Sequence, residues 1–108
     1  MALRDRIAEL LSLPENGAGA PTIDTIESTL TDGYAAALAL EAERWRIERR
    51  LGEVARDADD VAAHSVTAEL AQLSERLETT NGELAGLRPL LRKLQGVRRR
   101  RKAAPVSS

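Results

Sequence analysis

The sequence predicts an all-α protein: a long antiparallel helical hairpin, or coiled coil, with a short N-terminal helical arm, completed by oligomerisation. Apolar residues recur at steps of three and four along most of the chain, which is the coiled-coil repeat. The 108 residues include 18 Ala and no Phe, so bulky apolar side chains are scarce. Because so short and lean a chain does not readily enclose its own core, we expect a second copy or a partner to complete it.

The N-terminal segment, residues 1–13, is predicted to form an amphipathic helix over residues 2–12. Leu3, Ile7, Leu10 and Leu11 share one helical stripe. Isolated helices shorter than about 12 residues are marginal in water, so this arm must either dock on another surface or fray. Pro14 ends the pattern, and residues 14–21, rich in Gly and Ala, are expected to be a flexible linker.

A long helix is predicted to begin near residue 22, where Thr22 or Asp24 can serve as the N-cap. The run Asp32-Gly33 interrupts its apolar seam and indicates either a kink or a close helix contact. The first seam contains Ile23, Ile26, Leu30, Leu40, Ile47, Leu51 and Val54.

A second seam follows out of phase with the first, so residues 22–97 are predicted to form a helical hairpin. Its residues are Leu70, Leu73, Leu77, Leu84, Leu87, Leu91 and Leu94. Matched seam lengths favour a chain reversal near 57–65, whereas helix-breaking residues favour 79–82. We favour 57–65, and we expect both seams to hold copies together in a homo-oligomer, a dimer or a tetramer.

Charge divides the chain into an acidic body and a basic end. Residues 1–87 contain 17 acidic and 8 basic side chains, whereas residues 88–108 contain 8 basic and no acidic ones. Residues 98–108 are expected to form a disordered basic tail. This end could bind nucleic acid, dock on an acidic protein, or simply complement a helix dipole. The candidate anion contacts are Arg92, Lys93, Arg98, Arg99, Arg100, Arg101 and Lys102.

The two aromatic residues, Tyr34 and Trp45, lie 11 positions apart and therefore fall on nearly the same helix face. Leu38 lies between them, and Arg49 follows one turn after Trp45, where it could stack on the indole. These four residues form a predicted partner-binding stripe beside the seam. The N-terminal arm or a second copy could cover the stripe, or it could be a hot spot for a different protein.

No residue pattern indicates catalysis, a cofactor or a metal site. The chain has no Cys, and its single His, His64, has no companion ligand at a suitable spacing. No apolar run approaches a membrane span, so we expect a cytoplasmic protein. The predicted function is a non-catalytic coiled-coil assembly or adaptor protein. The alternative is a nucleic-acid-binding, nucleoid-associated protein that uses the basic C-terminal segment.

Overall fold

The computed structural model describes residues 2–57 and 63–103, and within these residues the protein is all-helical. Three helices follow one another along the described chain: α1 (Ala2–Ser12), α2 (Ile23–Arg56) and α3 (Ala63–Ala103). The all-α prediction is confirmed, and α1 coincides with the helix that the hydrophobic pattern predicts.

Local hydrogen bonds explain where α1 ends and where α2 begins. The Leu13 N–H donates to the Leu10 carbonyl at 3.3 Å, which closes the last turn of α1. Gly17 and Gly19 follow with φ angles of 81° and 88°, a left-handed conformation that glycine adopts without steric cost. Thr22 then caps α2, because its Oγ1 accepts a hydrogen bond from the Thr25 N–H at 3.1 Å.

The break between the two long helices lies near the reversal that seam lengths favour. α2 ends at Arg56, and the Asp57 N–H still donates to the Glu53 carbonyl at 3.0 Å. α3 begins at Ala63. Residues 58–62, which make up much of the predicted turn at 57–65, lie outside the described residues.

The alternative reversal at 79–82 is wrong, because α3 runs through these positions without a break. Thr80 is buried there, and the neighbouring seam residues Leu77 and Leu84 are half-buried and buried. A Gly inside a helix costs only about 1 kcal/mol relative to Ala. Packing of the flanking leucines is therefore enough to carry the helix through Gly82.

The helices form two compact units, which divide both long helices. The three-helix unit comprises Met1–Ala37 with Gly86–Ser108, and so contains α1, the start of α2 and the end of α3. The two-helix unit comprises Leu38–Ala85, and so contains the rest of α2 and α3.

In the three-helix unit, α1 completes a core that two helices alone would leave open. Ile7 of α1 is fully buried, as are Ile26 of α2 and Leu87 of α3. Gly33 lies at a close contact, since a Cβ there would overlap the Leu91 side chain. The close-contact interpretation of Gly33 is therefore supported.

In the two-helix unit, α2 and α3 pack against each other around a separate core. Its buried residues are Ile47, Val54, Val66 and Leu73. Two ion pairs cross between the helices, Arg50 Nη2 to Glu69 Oε1 at 2.8 Å and Arg76 Nη2 to Glu43 Oε1 at 2.5 Å. Later positions in α2 therefore meet earlier positions in α3.

Each predicted seam residue is buried or half-buried within a single chain. In the three-helix unit, α1 supplies a third apolar stripe beside those of α2 and α3. That the seam residues also hold a second copy stays a prediction.

Candidate interaction surfaces

The predicted aromatic stripe is exposed in the two-helix unit. Leu38 and Trp45 are 67% and 60% exposed, although both side chains are large and apolar. They lie seven residues apart on α2, hence on one face, and the exposed Ala42 lies between them. We call the face formed by Leu38, Ala42, Trp45 and Arg49 the Trp45 surface. The buried Ile47 lies on the opposite side of the helix.

Arg49 lies against the indole as the sequence predicts. Its guanidinium carbon is 5.4 Å from the centre of the Trp45 ring, which is within cation–π range. Its Nε also lies 3.4 Å from an oxygen of Glu53. Arg49 therefore contacts both Trp45 and Glu53, although all three side chains remain accessible to solvent.

Tyr34, the other aromatic of the stripe, belongs to the three-helix unit. It is 46% exposed, and its hydroxyl donates a hydrogen bond to Gln95 Oε1 at 3.3 Å. The polar end of Tyr34 is thus engaged within its own unit. We therefore confine the candidate surface to the two-helix unit.

Four further leucines of the two-helix unit are only partly covered. Two helices can bury the stripe that lies between them but not the flanks of that stripe. The half-buried leucines are Leu40, Leu51, Leu70 and Leu77. Partly covered leucines therefore accompany the Trp45 surface in this unit.

The predicted disordered tail is wrong over residues 98–103, because α3 continues to Ala103. Residues 104–108 lie outside the described residues. Arg98 and Lys102 both pair with Glu27, with Arg98 Nη2 at 2.9 Å and Lys102 Nζ at 3.3 Å from Oε2. Arg101 donates to the Pro21 carbonyl at 2.6 Å. Acceptors from the start of α2 and the segment before it thus hold the end of α3.

Glu15, in the segment between α1 and α2, also fixes the end of α3. Arg100 Nε donates to both carboxylate oxygens of Glu15 at 3.1 Å. This hydrogen bonding from Arg100 lowers the pKa of Glu15, and hydrogen bonds from Arg98 and then Lys102 lower the pKa of Glu27. Because these groups are solvent-exposed, each pair contributes only modestly to stability.

The remaining candidate cations lie together at a groove between α1 and α3. Arg92, Lys93 and Arg99 are exposed and have no ion-pair partner among the described residues. All three line an open groove of about 690 Å³ in the three-helix unit. We call it the cationic groove. Its wall is completed by Ala8, Leu11, Ser12, Glu15, Leu90, Gly96, Val97 and Arg100.

The seven predicted anion contacts therefore fall into two sets, four bonded to the chain itself and three that face solvent. Sequence reasoning missed the role of Glu15 and Glu27, which lie 85 and 71 residues before their arginine partners. The only signal in the sequence is that these acids flank the start of α2. No local rule connects such positions with the end of α3.

The described helices contain no stretch that is both long and apolar enough to cross a membrane. Within the same residues, no three His, Cys, Asp or Glu side chains are grouped so that they could hold a metal ion. No protein-family model, curated protein or solved structure matches the chain. The Trp45 surface and the cationic groove are therefore the two candidate functional sites among the described residues.

Proposed function

We propose that the chain is a non-catalytic assembly module, a coiled-coil helical hairpin that self-associates through the Trp45 surface. The observation that carries the proposal is the exposure of Trp45 and Leu38, which are 60% and 67% exposed on a face that no other described residue covers more fully. Trp is among the residues most enriched at the energetic centres of protein interfaces. A different protein that binds the same surface is the alternative occupant.

The antiparallel contacts within each unit support the hairpin. In the two-helix unit Glu43 pairs with Arg76 and Arg50 with Glu69. In the three-helix unit Glu27 pairs with Arg98, and Gly33 contacts Leu91. In both units the residue number falls along α3 as it rises along α2. Apolar steps of three and four on both helices are the pattern of coiled-coil packing.

The spacing of residues along α2 favours a second copy as the occupant. If two α2 helices approach antiparallel about a two-fold axis, each Trp45 faces the small Ala42 of the other copy. The same register brings Arg46 of each copy toward Glu41 of the other. Self-complementarity of this kind is what a two-fold interface requires, because one patch must match itself.

The small apolar area of the Trp45 surface predicts a modest affinity for a second copy of the chain. A Trp side chain buries about 150–250 Å² at most, and a stable interface needs about 800 Å² on each partner. Trp45 and Leu38 therefore act as an anchor within a wider contact that includes charged neighbours such as Arg46 and Glu48. A dimer in the micromolar range is expected, rather than a permanent oligomer.

The nucleic-acid alternative has less support. Arg98, Arg100 and Lys102 are paired with carboxylates of the same chain, and Arg101 with a carbonyl. Phosphates would have to displace those partners to use these cations.

Size-exclusion chromatography with light scattering tests the proposal over a hundredfold range of protein concentration. The mass should rise from one chain toward two, and Trp45→Ala should keep it at one chain. Leu13→Ala is the matched control, because Leu13 is an exposed leucine of the three-helix unit, outside the Trp45 surface. It should leave the dimer intact.

A mass of one chain at every concentration would overturn self-association and leave the surface to a different protein. A dimer that Trp45→Ala does not weaken would place the interface elsewhere. Circular dichroism should be unchanged in both variants, since neither side chain is buried.

A further inference from the structure

We infer that the cationic groove is a second binding site, and that it takes an acidic segment of a partner protein that also carries apolar side chains. The groove lies in the three-helix unit and shares no residue with the Trp45 surface. The inference therefore stands independently of self-association. It rests on three observations: the cationic side chains at the rim of the groove, the apolar side chains of its wall, and the pairing of Glu15, the nearest carboxylate, with Arg100.

The helix repeat places the three cations of the rim side by side. Arg92 and Arg99 lie seven residues apart on α3, two turns along one face, and Lys93 lies beside Arg92. All three side chains are exposed, and no described carboxylate pairs with them. Three adjacent cations without counter-ions repel one another, and an anionic ligand relieves that repulsion.

The one carboxylate that lines the groove is already neutralised. Glu15 is held by Arg100 through hydrogen bonds from both Nε and Nη2. Gly96 assists this contact, because a Cβ at that position would lie 3.2 Å from Arg100 Nη1. The absence of a side chain at Gly96 lets Arg100 lie along α3. With Glu15 and Arg100 paired, the charge left along the groove is that of Arg92, Lys93 and Arg99.

The wall of the groove favours a polypeptide over a nucleic acid. Leu11 of α1 and Leu90 and Val97 of α3 contribute apolar surface beside the cations. A peptide can place aliphatic side chains on this wall while its carboxylates meet the rim. A nucleic acid gains little there, because neither of the chain's two aromatics, Tyr34 and Trp45, lines the groove to stack on bases.

The chemistry of the rim suits carboxylates of a helical or extended segment. Arg92 and Arg99 can each bind a carboxylate with two parallel hydrogen bonds, and Lys93 adds a point charge. Charges of this kind speed association and select partners more than they raise affinity. The apolar wall supplies the remaining attraction, so both parts of the ligand are needed.

Fluorescence anisotropy of the full chain tests the site with a short labelled peptide composed only of glutamate, alanine and leucine. The triple variant Arg92→Gln, Lys93→Gln, Arg99→Gln should bind this probe at least about tenfold more weakly, since three exposed ion pairs are lost. A second probe with serine in place of each leucine should also bind more weakly, because it cannot use Leu11 and Leu90.

The control Arg44→Gln, Arg56→Gln removes charge from two arginines of the two-helix unit that have no ion-pair partner among the described residues, and it should bind the probe normally. Trp45→Ala should also bind normally, which separates this site from the Trp45 surface. Unchanged affinity of the groove variant would overturn the inference, as would failure of the wild type to bind the first probe. Tighter binding of a labelled DNA duplex of similar length would assign the groove to nucleic acid instead.

Discussion

The three-helix unit and the two-helix unit share the same two long helices, yet they cover their apolar residues to different degrees. In the three-helix unit, Leu87 and Leu94 of α3 are fully buried, as is Ile7 of α1. In the two-helix unit, Leu51, Leu70 and Leu77 remain only half-buried. This difference in burial shows the effect of α1, an added helix of eleven residues. It buries Ile7 against the other two helices in one unit, whereas the described residues of the other unit include no third helix.

The largest expected effect comes from a substitution in the core of the two-helix unit. It tests whether the chain needs this core in order to fold. Ile47 is fully buried in the two-helix unit, and Ile47→Asp would place a carboxylate there with no counter-ion. The cost should exceed about 4 kcal/mol, which is comparable with the whole stability of a small domain. Helical circular dichroism should be largely lost. Ile47→Val should retain it, and retention in both variants would refute the core assignment.

A pair of alanine substitutions measures the difference in burial directly. Leu87→Ala in the three-helix unit should cost about 2–5 kcal/mol, as expected for a fully buried leucine. Leu77→Ala in the two-helix unit should cost about half as much, because its side chain is already partly hydrated. Urea unfolding followed by circular dichroism checks the order. Equal losses would mean that the two units are covered alike.

Glycine substitutions test how closely the helices approach one another. A Cβ at Gly33 would overlap Leu91 in the core of the three-helix unit, whereas a Cβ at Gly82 would meet open space. Gly82→Ala should stabilise the chain by about 0.5–1 kcal/mol through helix propensity alone. Gly33→Ala should give a net loss of about 1 kcal/mol, since overpacking outweighs the same gain. Thermal unfolding of both variants would show opposite shifts, and shifts of the same sign would refute the close contact.

The smallest expected effect is a loss of folding stability at low pH. The pKa of Glu27 is lowered by hydrogen bonds from Arg98 and then Lys102, so its folded pKa lies below the ordinary value of about 4.3. The stability from this group is therefore fully present above about pH 4.3 and is lost as the pH falls through the lower folded pKa. The Glu27→Gln variant should be less stable than wild type at pH 7, and the two should converge as the pH falls through the folded pKa of Glu27. A constant difference between their melting temperatures over that range would contradict the pairing.

The sequence was sufficient for the elements whose causes are local. The stripe around Ile7 predicted α1, Thr22 was one of two predicted caps for α2, and one turn of spacing predicted the contact of Arg49 with Trp45. Each of these depends on residues within about one or two helical turns of one another. Such spacings can be read directly from the order of residues.

The features that the sequence did not predict depend on distant residues. The spacing of Arg98, Arg100 and Lys102 predicts a disordered tail because their partners, Glu15 and Glu27, lie more than 70 positions away. Nothing in the spacing of the seam residues reveals that α1 packs against them in one unit. Asn81 and Gly82 disfavour a helix locally and so indicate a break at 79–82, but packing of Leu84 outweighs that preference.

The most direct test of the central claim uses Trp45 as its own reporter, since it is the only Trp in the chain. Acrylamide quenching of its fluorescence should be measured from nanomolar to high micromolar protein. We predict strong quenching at low concentration, and weaker quenching with a shift of emission to shorter wavelength as the Trp45 surface becomes buried between copies. Quenching that stays equally strong over the whole range would contradict self-association through this surface.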